Sequence, residues 1–199
     1  MGFIYFIRPK VEDFSLQSKD KLASYLTMGK DVYYNVIRIV AFVGLAEQLS
    51  TIQNLLNNDT TITSDKERWQ LRLALARLGD EAQIDYCTNF ARSGKVNDRV
   101  IEYLLRDIVF IRQKEPFDYL VEILQSEDKN CRPPNAERNT KIVCGYRIME
   151  LLAPAVEDFP LKYDEDIEEI DTDDYEKALE TTRVWFQQNP NYQIRKDRF

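Results

Sequence analysis

The chain has 199 residues, 44% of them hydrophobic and 31% charged, with a formal net charge of −7; this is a soluble globular composition with enough length for one domain around an ordinary core. It contains no histidine, so these residues hold no triad, dyad or relay built on imidazole and no His-ligated zinc, iron or copper. No apolar run approaches the roughly 20 residues needed to span a bilayer.

The opening MGFIYFI is apolar but too short for a signal core, and it lacks a basic start and a small-residue cleavage site. It reads as a buried terminal segment or the end of an element, which leaves the compartment open between cytoplasmic and exported with a signal missing from this chain. Arg8 and Pro9 break any early helix. Leu16 to Met28 is predicted as a modest helix ended by Gly29, and Asp31 can cap the next, whose VYYNVIRIVAFVG is apolar nearly all round and ends at Gly44. Leu45 to Asn57 returns as its partner, followed by the loop NNDTTITS, in which Asn58, Asp59 and Thr60 match a short glycosylation acceptor pattern.

The next helix, residues 65 to 78, places Trp69, Leu73 and Ala76 on one stripe and Leu71, Ala74, Leu75 and Leu78 on another. Arg68 and Arg72 divide the stripes on one side, Gln70 and Arg77 on the other. Two stripes fit a helix held between neighbours on both flanks. Ser64 and Glu67 form a capping box at its start, Gly79 ends it in a left-handed conformation, and Asp80 with Gln83 caps the helix that follows. After SGKVN comes a helix from about Asp98 to Arg112, then a partner from about Pro116 to Ser126 with proline in its first turn. Asn139 to Ala153 and Asp174 to Gln188 are predicted as the last two helices.

A shift of 33 residues lays Leu71, Leu75, Leu78 and Ile84 on Leu104, Ile108, Ile111 and Phe117, and a shift of 35 lays Val36, Val40, Val43, Gly44 and Leu49 on Leu71, Leu75, Leu78, Gly79 and Ile84. Three units therefore share one pattern of apolar positions, which places Leu71, Leu75, Leu78, Leu104, Ile108 and Ile111 in the core. A fourth unit, Asn139 to Ala153 with Asp174 to Gln188, is degenerate. The unit built on ALARLGD, with paired helices recurring every 33 to 35 residues over residues 31 to 188, resembles HEAT-type helical repeats, although proline and arginine do not recur within each unit as they do in that family. The resemblance implies an all-α, HEAT-like α-α superhelix of about four helical hairpins that binds proteins, less often nucleic acid, along a concave face. It implies no catalytic residue and no cofactor. On this basis residues 1–199 form a single α-solenoid domain: an irregular N-terminal cap over 1–30, three regular repeats over 31–126, and over 127–199 a degenerate repeat with an acidic insertion and a tail.

Charge is distributed unevenly. Residues 157–180 hold twelve Asp or Glu against Lys162 and Lys177, a net −10, so the remainder carries −7 − (−10) = +3. An EF-hand loop starting at Asp164 needs glycine sixth and glutamate twelfth, where the chain has Glu169 and Tyr175; that motif fails, and a loose calcium site stands beside the plainer reading of a solvated acidic loop. Between Ala153 and Asp171 no periodicity is visible, and long loops in compact domains tend to be functional or disordered. Asp164, Glu165, Asp166, Glu168, Glu169, Asp171, Asp173 and Asp174 are therefore the candidate partner-binding residues, an acidic lip that steers a basic protein partner.

Other constellations favour structural roles. Arg68, Arg72, Arg77, Arg106, Arg112, Arg138, Lys141 and Arg147 could meet phosphates if they lined one groove, but a charge of +3 outside the acidic stretch disfavours nucleic acid. Tyr33, Tyr34, Phe42, Trp69, Tyr103, Phe110 and Trp185 sit at helical spacing and read as core. Asp85, Asp118 and Asp174 recur at one repeat position, which points to a structural task, an N-terminal-turn charge or a hydrogen bond between repeats, rather than acid–base work. Cys87, Cys131 and Cys144 lack zinc spacing; Cys131 and Cys144 can close a disulfide, or all three remain thiols. The functional expectation is a non-catalytic protein-interaction module with no metal or cofactor. A nucleic-acid-binding or base-processing repeat protein and a histidine-independent solenoid enzyme are the alternatives; the oligomeric state is open.

Overall fold

The computed structural model describes residues 9–26, 34–58, 64–133 and 140–197. They are predominantly helical, with one two-stranded antiparallel ribbon as the named sheet among them. The chain divides into two compact units, residues 1–84 with 196–199, and residues 85–195.

In the first unit, α1 (Leu16–Tyr25) packs on α2 (Tyr34–Val43), and α4 (Asp65–Arg77) packs against both α2 and α3 (Leu49–Asn58). α1 is shorter than predicted, because Leu26 already closes it with its N–H on Ala23 O at 3.2 Å. The predicted stop at Gly29, cap at Asp31 and acceptor threonine at Thr60 lie outside the described residues. Instead of one helix from Leu45, a 3-10 turn (Ala46–Gln48) precedes α3.

The ends of α2 and α4 are determined locally. Gly44 (φ 77°) and Gly79 (φ 96°) adopt left-handed conformations that a residue without Cβ takes at little cost. Around Gly79, the N–H of Asp80 donates to Leu75 O at 3.0 Å and that of Gly79 to Ala76 O at 3.1 Å, the paired bonds of a Schellman motif; Leu45 on Val40 and Gly44 on Ala41 repeat it at 3.2 Å each. The box at Ser64 and Glu67 has both halves. At Asp80 only one half is made: Asp80 Oδ1 accepts Gln83 N at 3.0 Å, while the Gln83 side chain accepts Arg72 Nη1 at 2.6 Å.

α4 is buried on more of its circumference than two stripes require. Leu71, Leu73, Ala74, Leu75 and Ala76 are fully buried, while Leu78 is half-buried. Gln70 and Arg77, assigned to a polar strip, are buried as well, and each is satisfied: Gln70 Oε1 accepts Arg38 Nη1 at 3.1 Å, and Arg77 lies over the Phe42 ring and donates to Lys196 O at 3.1 Å.

The second unit begins within α5 (Glu81–Arg92). It continues through a short helix α6 (Asp98–Val100), a π-helical segment (Ile101–Leu105), α7 (Arg106–Ile111), α8 (Lys114–Gln125), α9 (Gly145–Leu152) and α10 (Tyr175–Gln188). Leu105, Ile108, Ile111, Phe117, Leu120, Leu124, Ile148, Met149 and Leu152 make its core. The π turn alters the register: Leu105 is fully buried and Leu104 only half-buried, because a wider turn breaks the constant angular step that placed Leu104 inward. Tyr103 in the same segment is 69% exposed and not core.

α8 organises this unit. Tyr119 donates its hydroxyl to Ala91 O at 3.1 Å under the Arg92 guanidinium, which also binds Glu122. Arg183 from α10 closes the other end of α8, donating Nε to Leu124 O at 2.8 Å and Nη2 to Ser126 O at 2.9 Å. Gly145 lets α9 approach α8, since a Cβ there would lie 3.0 Å from Leu124 O. The predicted helix from Asn139 starts instead at Gly145. Residues 140–144 are held otherwise, with Ile142 bridged to Cys131 and Cys144 joined to Cys131 by a disulfide, while Cys87 is a buried free thiol. The chain returns past Tyr192, whose hydroxyl donates to Asp118 Oδ1 at 2.9 Å, and Ile194 bridges to Val156.

Candidate partner-binding surface

Within the acidic stretch, residues 162–171 form a β-hairpin and not an aperiodic loop. β1 (Tyr163–Asp164) pairs antiparallel with β2 (Glu169–Ile170), and Lys162 and Asp171 close its base through a 2.9 Å ion pair and a backbone bond of 3.0 Å. Asp164 builds the turn, its Oδ1 accepting the N–H of Asp166 at 2.9 Å and of Ile167 at 3.3 Å, and Glu168 follows at φ 58°. Ile170 is buried and anchors the ribbon, whereas Ile167 at the tip is 65% exposed.

This geometry divides the predicted acidic residues. Glu165, Asp166, Glu168 and Glu169 are exposed around the turn, and Asp164 is half-buried in forming it. Asp171 is engaged by Lys162, Asp173 is exposed in the bend leading away, and Asp174 is the N-cap of α10, accepting Lys177 N at 3.0 Å. At the base, Glu150 accepts the Tyr175 hydroxyl at 3.3 Å; burial raises its pKa above the ordinary range against the pull of Arg147. Asp174 connects the hairpin to a hollow of about 800 Å³ along α10.

That hollow escaped sequence reasoning. Its walls carry Glu176, Glu180 and Val184 of α10, with Trp185, Tyr146 and Glu127 beside them. Glu176, Glu180, Val184 and Gln188 recur every fourth residue, a spacing that marks one helix face. Val184 is 37% exposed, and Trp185 stacks edge-on against Phe186 with centroids 5.0 Å apart. Burial, then the nearby Glu176 carboxylate, pushes the Tyr146 hydroxyl above its usual pKa. Arg183 pairs with Glu127 and with the end of α8, which leaves the rim dominated by carboxylates.

Most of the predicted basic residues have local partners of their own. Arg68 donates to Leu56 O at 3.3 Å, Arg72 to Gln83 and Arg77 to Lys196 O; Arg112 is buried beside the Phe117 ring, Arg147 lies 3.9 Å from Glu150, and Lys141 donates to Asn130 O at 3.3 Å. Arg106 is exposed, and Arg138, with Tyr33, lies outside the described residues. The Asp85, Asp118 and Asp174 positions have three tasks, not one: Asp85 adjoins the Glu115 carboxyl, Asp118 binds Tyr192 and Lys114, and Asp174 caps a helix. Their neighbours differ too, since Tyr86 is exposed and Tyr119 buried. Among the described residues no group of three or more His, Cys, Asp or Glu could hold a metal ion, and no helix is long and apolar enough to cross a membrane. No protein-family model, curated protein or solved structure matches the chain.

Proposed function

We propose that this chain is a HEAT-like α-solenoid acting as a non-catalytic protein-interaction module, in which the acidic hairpin steers a basic protein partner. The observation that carries the reading is the hairpin itself: one buried isoleucine, Ile170, holds a ribbon whose turn presents Glu165, Asp166, Glu168 and Glu169 to solvent. Exposed surface charge of one sign contributes little to stability but raises encounter rates with an oppositely charged partner. The rim of the neighbouring hollow extends the same sign along α10.

The test combines affinity capture from the native host, with mass spectrometry to identify the bound protein, and stopped-flow association of that protein. A variant carrying Glu165→Gln, Asp166→Asn, Glu168→Gln and Glu169→Gln changes four solvent-exposed side chains. It is expected to fold like the parent and to associate about tenfold more slowly at low salt. Equal association rates for variant and parent would reduce the hairpin to a solubilising loop.

A further inference from the structure

We infer that the hollow beside α10 is a docking groove for a basic, amphipathic peptide segment of a protein partner, which lays an apolar side chain on Val184 and Trp185 and lysine or arginine side chains on Glu176 and Glu180. This inference rests on the interaction-module reading and identifies the surface where contact is made. The hairpin supplies long-range attraction; the groove supplies short-range contacts.

Three observations select the occupant. First, the exposed face of α10 is patterned, with Glu176 and Glu180 one turn apart and Val184 one turn beyond; a helix or extended segment lying along it meets two carboxylates and then an apolar step. Second, the floor there is aromatic: Trp185 is half-buried against Phe159 and Phe186, at centroid distances of 6.4 and 5.0 Å. A rigid, partly exposed indole bordered by polar groups is the kind of anchor on which interface energy concentrates. Third, the cationic side chains in the wall are already engaged or outnumbered. Arg183 is tied to Glu127 and to the carbonyls of Leu124 and Ser126, leaving Lys177 against Asp174, Glu176 and Glu180. Such a rim repels phosphate backbones and anionic lipid headgroups and attracts lysine and arginine.

The probes are two synthetic peptides of equal charge: a helical lysine–alanine–leucine peptide with one leucine stripe, and a lysine–alanine control without leucine. Each is titrated into the full chain and followed by proton–nitrogen correlation NMR. The leucine peptide is expected to shift the Trp185 indole and the α10 amides saturably. Both Glu176→Gln/Glu180→Gln and, separately, Val184→Ser, all at exposed positions, are expected to weaken it about tenfold. Saturable binding at another surface, or equal affinity for the leucine-free control, would overturn the groove while leaving the interaction-module reading intact. Absence of saturable binding by the leucine peptide would also overturn the groove. A duplex oligonucleotide that saturably shifts the same α10 residues would overturn the groove and the interaction-module reading together.

Discussion

Two glutamates on α8 show how neighbours decide the sign of a residue's contribution. Burial, then the Asp85 carboxylate, raises the pKa of Glu115, while a hydrogen bond from Arg92 lowers that of Glu122. A carboxyl whose folded pKa is raised favours the folded state below the ordinary glutamate value of about 4.3, and that contribution is lost as pH rises through the folded value. For Glu122 the sign is opposite: its contribution is present above the ordinary value and disappears as pH falls through the lowered one. Glu115→Gln is therefore expected to raise Tm at neutral pH, with the gain vanishing in acid. Glu122→Gln is expected to lower Tm at neutral pH, with the loss vanishing in acid. Scanning calorimetry of both variants across the acidic range checks the pair, and two changes of the same sign at neutral pH would contradict it. Both groups are largely exposed, so the shifts should be small.

At the scale of the element, the π segment and the disulfide each make a measurable difference. An uninterrupted α-helix through Ile101–Leu105 would turn Leu104 inward; the π turn buries Leu105 fully and leaves Leu104 half-buried. Leu105→Ala should therefore cost about 3 kcal/mol, in the range of fully buried leucines, and Leu104→Ala about 1 kcal/mol. Urea denaturation decides between the registers, since the reverse ranking belongs to the plain helix. The Cys131–Cys144 bridge spans a separation of 13 residues, and closing a loop of that size restricts the unfolded chain by roughly 3 kcal/mol. Thiol titration of denatured, unreduced protein is expected to count one free thiol, Cys87. Reduction should lower the urea midpoint accordingly.

For the whole molecule, the formal charge of −7 hides a local excess: residues 157–180 carry −10 and the remainder +3. Steering by such a patch acts over about one Debye length, roughly 10 Å at 0.1 M salt. The association rate of the captured partner should thus fall steeply with ionic strength for the parent protein and weakly for the hairpin variant. Parallel slopes for the two proteins in stopped-flow measurements would show that the charge acting on the partner lies elsewhere.

The helical character, the stops at Gly44 and Gly79 and the box at Ser64 were legible in the sequence because hydrogen bonds within a few residues and a local backbone preference determine them. Leu71, Leu75, Ile108 and Ile111 were legible as core because periodicity is a property of the element itself. The tertiary structure alone decided what depends on distant neighbours. Gln70 and Arg77 could be buried only because Arg38 and Lys196 supply their partners, and Leu105 displaced Leu104 because the chain widened one turn. The same holds for the surface. Acidity marked Asp164 to Asp174 in the sequence, but the hairpin register depends on Ile170 pairing with Tyr163, and the groove on Tyr146 and Trp185 lining one hollow. Composition can report the sign of a charge, whereas its placement beside an apolar anchor follows from packing between residues far apart in the chain.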